Sequence, residues 1–272
     1  MKKFDGILIC TDLDGTLLKN DKSISKKNLD AIEYFKSEGG YFTFITGRPP
    51  VIAGKICDVI APNAPIGCIN GGGLYDTRTG EYIWYREMSR SVISILDDAC
   101  NAMDDVGFQV NTFGPIYFCR ENTTMQKFRE LTGYEGMRAE PRNISEPFAK
   151  IVFGEGNMQR MQNLIDFLTS HPLASEFDFI RSEKTLFEIL PKGINKGTAL
   201  PKLVEYLGID HKNTYAIGDY DNDVGMLLAA HTGIAVANAS PAAKAAADRF
   251  TVSNEEHAIA KIIEGIERGE FL

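Results

Sequence analysis

The chain has 272 residues, 44% of them hydrophobic and 24% charged, with a formal net charge of -8. That length exceeds the usual single domain, so either one large domain or a core with an inserted second domain is expected; the composition excludes a disordered or fibrous class. The acidic balance excludes the broad basic surface that nucleic-acid binders use, so any bound phosphate has to be gripped locally.

The chain opens Met-Lys-Lys-Phe-Asp-Gly and leads into an apolar run only about one strand long, unlike a signal peptide. No run reaches the roughly 18 apolar residues that a transmembrane helix needs. The five cysteines, Cys10, Cys57, Cys68, Cys100 and Cys119, are scattered, with no CxxC pair and no Cys/His metal spacing. A cytoplasmic protein with reduced thiols, partnering neither membrane nor nucleic acid, is expected; oligomeric state is not encoded in any pattern.

Residues 6–11, Gly-Ile-Leu-Ile-Cys-Thr, form a continuous apolar run, as in a strand buried on both faces of a parallel sheet. Asp12 and Asp14 follow it. Ser25 is placed to cap a helix carrying Leu29, Ile32 and Phe35, and Gly39-Gly40 stops it. A second apolar run, Tyr41 to Ile45, ends in Thr46-Gly47-Arg48. Strand, helix and strand in this order imply a right-handed crossover between parallel strands.

The middle of the chain reads differently. Phe108 to Thr112, Ile116 to Cys119, Lys150 to Phe153, Phe177 to Arg181 and Leu186 to Leu190 read as short strands of a mixed α+β unit. Helices are expected at Val92 to Val106, near Met125 to Leu131 and at Met158 to Leu168. This predicts an inserted domain over 84–190, with 1–83 and 191–272 forming the two parts of the core.

Beyond the insertion the first grammar returns. A helix around 198–207 leads to the strand Thr214 to Ile217 and then to Gly218-Asp219-Tyr220-Asp221-Asn222-Asp223. A helix with Val224, Leu227 and Leu228, the strand Gly233 to Val236, and a helix opened by Ser240-Pro241 complete it. The fold class expected is α/β, a doubly wound parallel sheet with an inserted α+β domain.

In an open parallel sheet, ligands bind beyond the carboxyl ends of the strands. Asp12 and Asp14, Thr46-Gly47-Arg48, and Asp219 to Asp223 all follow strands, so folding would gather them into one crevice. Like charges about 4 Å apart cost on the order of 4 kcal/mol per pair at an effective dielectric near 20, a conflict that a divalent cation removes. Oxygen ligands favour Mg2+, which completes its shell with waters and substrate phosphate. Asp12 and Asp219 are the leading ligands, Asp14 offers its backbone carbonyl, and Asp223 binds the metal or orients its waters. Beside a phosphate, Asp12 is suited to attack phosphorus and form an aspartyl-phosphate. Asp14 is suited to protonate the leaving alkoxide and later deprotonate water, a role that calls for a pKa raised by its acidic neighbours. Thr46, Lys196 and Asn222 are the expected phosphate donors. Lys196-Gly197-Thr198 does not have the residue order of a nucleotide-binding P-loop. The histidines lie near segment ends without ligand spacing, and Arg48 is equally suited to contact substrate or to pair with an acidic neighbour.

Together DLDGT, TGR, NKG and GDYDND resemble the four motifs of the haloacid dehalogenase superfamily of phosphatases, in particular its Cof-type branch with a large α/β cap. The stretch Pro65 to Gly72 is similar to that branch's strand and Asn-Gly loop leading to the cap. The resemblance implies a phosphatase core with Asp12 as nucleophile and metal ligand, Asp14 as acid/base and carbonyl ligand, and Asp219 as metal ligand. It implies phosphate binding by Thr46, Gly47, Lys196, Asn222 and the Leu13 backbone, and the aspartate at 14 favours phosphatase over dehalogenase activity. Two departures carry expectations of their own. Pro201, an interior proline costing about 3 kcal/mol, predicts that the helix begins near Thr198 with Lys196 on the loop before it. Gly71 to Gly73 predict a flexible loop after Asn70.

The expected activity is Mg2+-dependent hydrolysis of small phosphorylated metabolites, sugar phosphates first, with the inserted domain closing over the substrate. A sugar phosphomutase and a non-catalytic phosphometabolite sensor are the alternatives.

Overall fold

The computed structural model describes residues 2–270. In chain order the elements are β1 (Leu8–Thr11), α1 (Lys26–Ser37), β2 (Tyr41–Phe44), α2 (Pro50–Ile60), β3 (Ile66–Cys68), β4 (Gly73–Asp76) and β5 (Glu81–Tyr85). There follow α3 (Val92–Ala102), β6 (Gly107–Thr112), β7 (Ile116–Arg120), α4 (Thr123–Thr132), β8 (Phe148–Gly154), α5 (Met158–Ser170), β9 (Phe177–Glu183) and β10 (Leu186–Pro191). The chain closes with α6 (Lys196–Leu207), β11 (Thr214–Gly218), α7 (Val224–Ala229), β12 (Thr232–Ala235), α8 (Pro241–Ala246), β13 (Arg249–Phe250) and α9 (Ala258–Glu267). Two compact units emerge: one holds the chain up to Trp84 and from Asn195 onward, the other Tyr85–Ile194.

The first unit is built on a parallel sheet ordered β13-β12-β11-β1-β2. β1 is central because its four residues are all buried, leaving no face for water. Its neighbour β11 is equally buried, and pairing sets Thr11 opposite Ile217, so both strands end at one level. Phe35, Phe42, Phe44, Leu200, Leu203 and the isoleucines of α9 fill the core. In α9, Ile259, Ile262, Ile263 and Ile266 recur at helical spacing and are buried. Trp84 is half-buried against this core. A small sheet, β3-β4-β5, follows on from the parallel one, with Ile45 bridged to Gly67.

The second unit is an antiparallel sheet ordered β7-β6-β8-β10-β9. Val92, Ile95 and Leu96 of α3 and Met161, Leu164 and Leu168 of α5 pack with Phe108, Ile151 and Phe153 of its strands into a separate core.

Two expectations are corrected here. Helix α3 ends at Ala102 rather than Val106, because Met103 is extended and Asp105 takes a positive φ before the strand at Gly107. Lys196 is the first residue of α6 rather than part of a preceding loop. Asn195 caps that helix: its side chain accepts from the N–H of Gly197 at 2.9 Å, and the Thr198 hydroxyl accepts from the Asn195 N–H at 3.1 Å. Pro201 stays inside the helix at an exposed position, where its missing N–H removes one hydrogen bond.

Candidate active site

Asp12 follows β1 directly, and its N–H donates to the carbonyl of Ile217 at 2.8 Å, tying it to the end of β11. It is 6% exposed. Its Oδ1 accepts from Nζ of Lys196 at 2.6 Å, and the same ammonium donates to Asp223 Oδ1 at 2.5 Å. Asp223 is held from both ends, since its Oδ2 accepts from the N–H groups of Asp219 and Tyr220 at 2.9 and 3.0 Å. Asp219, just past β11, accepts the Thr16 hydroxyl at 2.7 Å. One carboxylate oxygen from each of Asp12, Asp219 and Asp223 lies within 4.8 Å of the others.

The electrostatics follow from three carboxylates sharing one buried cation. The Asp12 carboxyl is pushed up to about 7 by burial and the charge of Asp223, against the pull of Lys196. Asp219 is pushed up to about 6, chiefly by burial, with the Asp223 charge adding to it. For Lys196 burial works the other way, but the charges of Asp12 and Asp223 outweigh it and raise its pKa. The cluster is therefore short of positive charge. An all-oxygen donor set with that deficit fits a hard divalent cation of the Mg2+ class, with Asp12, Asp219 and Asp223 as the residues able to hold it.

Asp14 departs from expectation. Its carboxylate stands apart from the acidic cluster and pairs with two cations: Arg48 Nη2 donates to its oxygens at 2.7 and 2.9 Å, and Lys22 Nζ donates at 2.8 Å. Burial works to raise its pKa, but Lys22 and Arg48 outweigh it and hold the carboxyl below its ordinary value. The raised pKa expected from acidic neighbours is thus absent, because two cations close on the Asp14 carboxylate. Gly15 follows at φ +83°, where the chain turns, and a Cβ there would lie 2.4 Å from Asp219 Oδ2.

The remaining residues lie on loops of the same unit. Thr46 is buried, with its N–H on Gly67 O at 2.9 Å and its hydroxyl accepting from Arg48 N–H at 3.2 Å. Among the described residues, the N–H groups of Leu13 and Gly47 donate to no protein acceptor. Asn222 is half-buried in the short 3-10 turn Asp221–Asp223 beside the cluster. Asp221 accepts the Ser240 hydroxyl at 2.6 Å and takes no part in the cluster. Cys10 is a buried thiol with its pKa driven up by burial, so it packs rather than reacts.

Two braces escape the sequence. Asn238 Nδ2 donates to Gly15 O at 2.8 Å, and Asn254 Nδ2 donates to Leu18 O at 3.0 Å, fixing the turn after Asp12 from two sides. The available signal is the position of Asn238 just beyond a buried strand, at the same sheet edge as the aspartates.

A parallel sheet with this carboxylate and lysine cluster at its carboxyl edge defines the class. The family model for haloacid dehalogenase-like hydrolases matches residues 9–263, and the chain belongs to that family. Among its relatives is the 5-amino-6-(5-phospho-D-ribitylamino)uracil phosphatase YitU of Bacillus subtilis, 27% identical over 94% of this chain and 96% of that protein. A haloacid dehalogenase-like hydrolase from Bacteroides thetaiotaomicron superposes with a TM-score of 0.83 at 27% identity, covering 96% of this chain and 99% of its own. The HAD subclass IIB sugar phosphatase BT4131 shares the fold, with a TM-score of 0.81 at 20% identity over 96% and 98% of the two chains. The family and its phosphatase members identify this chain as an enzyme of the phosphatase type. No helix among the described residues is long and apolar enough to cross a membrane.

Proposed function

We propose that this protein is a Mg2+-dependent phosphatase of small phosphorylated metabolites, cytoplasmic, with Asp12 as the nucleophile. The observation that carries the reading is the Asp12 carboxylate at the end of β1: Oδ1 is held by Lys196, and among the described residues Oδ2 takes no hydrogen bond. A bound Mg2+ would polarise the phosphoryl group and offset the charge of the carboxylates around it.

Asp12 attacks phosphorus, forming an Asp12 O–P bond as the ester P–O bond breaks, and Asp14 gives its proton to the departing alkoxide. In the second step Asp14 takes a proton from water as that water attacks phosphorus, releasing inorganic phosphate and restoring the Asp12 carboxylate. Because the ligand-free Asp14 is paired with Arg48 and Lys22, the first step requires those cations to turn toward the incoming phosphate dianion. Asp14 then takes up a proton. Leu13 and Gly47 supply N–H donors, Thr46 a hydroxyl and Asn222 an amide to the phosphoryl oxygens, while Lys196 holds the charge.

Sugar phosphates and related polyol phosphates are the substrate class. The phosphatase YitU is named for a substrate whose phosphate sits on a ribityl chain, and the present site offers only phosphoryl-binding groups around Asp12, leaving the organic part to be read elsewhere. The test is phosphate release from a panel of hexose, pentose and polyol phosphates with Mg2+ and with chelator, for wild type and Asp12→Asn. Turnover should vanish in the variant and under chelation. Equal hydrolysis before and after the substitution would remove Asp12 from the chemistry, and sugar isomers without free phosphate would point to a mutase.

A further inference from the structure

Three consecutive residues between β3 and β4 have positive φ: Ile69 at +53°, Asn70 at +55° and Gly71 at +85°. A β-branched residue in that region is an outlier, and such strain persists only where the surroundings over-determine it. Ile69 and Asn70 are both buried, so this is no accident of an exposed loop. The reaction scheme uses neither of them.

What the turn touches gives it a purpose. Asn70 N–H donates to Thr46 O at 3.0 Å, and Ile69 N–H donates to Arg48 O at 3.2 Å. In a trans peptide the C=O and the following N–H point in opposite directions. With the Thr46 carbonyl fixed on Asn70, the Gly47 N–H is turned away from the turn, and it is one of the donors left without a protein acceptor. The Asn70 carboxamide presses on the same peptide from the side, since a Cβ on Gly47 would lie 2.3 Å from Asn70 Oδ1. On its far side the turn abuts the lysine helix: a Cβ on Gly71 would lie 2.1 Å from Asn195 O and 2.9 Å from Lys196 Cα. One strained turn therefore contacts both the Gly47 peptide and the backbone that carries Lys196.

We propose that the Ile69–Gly71 turn, through Asn70, is a positioning element of the phosphate site, holding the Gly47 N–H and the Lys196 backbone in fixed relation. The inference rests on the phosphatase reading. Asn70 acts through Gly47 and is a positioning residue, not a catalytic one. Of the Gly71 to Gly73 stretch expected to form a loop, Gly71 belongs to this turn and Gly73 already opens β4.

The test compares wild type with Asn70→Gly, which keeps the left-handed backbone accessible and removes the carboxamide, and Asn70→Asp, which keeps the shape and sets a negative charge against Gly47. Orthovanadate inhibition with Mg2+ present, kcat and KM for one accepted phosphate ester, and the melting temperature are measured for each. Both variants should melt cooperatively, with kcat/KM down about 10²-fold from donor misplacement, the vanadate inhibition constant raised in parallel, kcat affected more than KM, and the aspartate worse than the glycine. A folded Asn70→Gly with wild-type kcat and vanadate inhibition overturns the proposal, even if its melting temperature falls. If the aspartate variant fails to fold, the glycine variant decides. Failure of the phosphatase reading would show separately, as a wild type without turnover; calorimetric binding of inorganic phosphate to wild type and Asn70→Gly then decides the positioning role.

Discussion

Lys196 and Asp12 lie 184 residues apart in the chain and meet through a hydrogen bond of 2.6 Å between Nζ and Oδ1. Both side chains are buried, and the same ammonium also holds Asp223. This junction joins the two chain segments of the first unit at the site itself. Lys196→Met removes the cation and leaves two buried carboxylates facing each other. Breaking a buried pair in this way costs about 3–5 kcal/mol, to be read by denaturant unfolding with chelator present. The sign with pH follows from Asp12: its folded pKa, already above the unfolded value, rises further in the variant. The loss of stability should therefore be full at alkaline pH and shrink as the pH falls and the carboxyl takes up a proton.

The metal prediction follows from the same charge deficit. Mg2+ should raise the unfolding free energy of the wild type, by about 2.7 kcal/mol at a hundred times its dissociation constant. Since burial and neighbouring charge push Asp12 up to about 7 and Asp219 up to about 6, affinity should weaken as the pH falls through that range, because bound carboxylates must be deprotonated. Isothermal titration at pH 8 and pH 5.5 checks it; equal affinities would separate these aspartates from the metal.

The parallel core is legible in the sequence because a strand buried on both faces leaves an unbroken apolar run, and the aspartates that follow Thr11 and Gly218 break it sharply. The grouping of Asp12 with Asp219 follows from that topology. What a linear reading misses is direction. Asp12 and Asp14 look like one acidic pair, yet their carboxylates meet different partners, and only the fold reveals that Lys22 and Arg48 converge on Asp14. Asn238 and Asn254 are equally hidden, as lone loop asparagines whose acceptors lie more than two hundred residues away. The start of α6 is misread because an interior proline speaks against a helix more loudly in sequence than its cap at Asn195 speaks for one.

Asp14 gives the sharpest pH test. In the metal-free protein its carboxyl should titrate below the ordinary range of an aspartate, followed by carboxyl-carbon NMR, and Lys22→Ala and Arg48→Ala should each move it upward. A depressed folded pKa adds stability above the unfolded value and loses it as the pH falls through the folded one; solvent screening at this half-exposed pair keeps that contribution small. A titration unchanged in both variants would mean that neither cation governs Asp14.

Pro201→Ala should stabilise the protein. The proline is exposed, so no packing is lost, and the alanine restores the donor missing from α6. The interior cost of proline sets a ceiling of about 3 kcal/mol, and the gain appears as a higher denaturant midpoint with an unchanged slope.

Two glycine substitutions separate general backbone effects from damage at the site. Gly54 lies in α2 with open space where its Cβ would be, so Gly54→Ala should gain about 0.5–1 kcal/mol from helix propensity and a less flexible unfolded chain. Gly15 has φ +83° and would bring its Cβ to 2.4 Å from Asp219 Oδ2 and 2.9 Å from Asp219 Cγ. In Gly15→Ala the turn or the carboxylate has to move, and the Thr16 hydrogen bond that fixes Asp219 goes with it. The expected cost is about 1–3 kcal/mol of stability, together with weaker Mg2+ binding, because Asp219 is displaced from the Asp12 and Asp223 oxygens. If Gly15→Ala lost stability while keeping wild-type metal affinity, the turn would be a folding constraint alone and Asp219 would not be a ligand held by it.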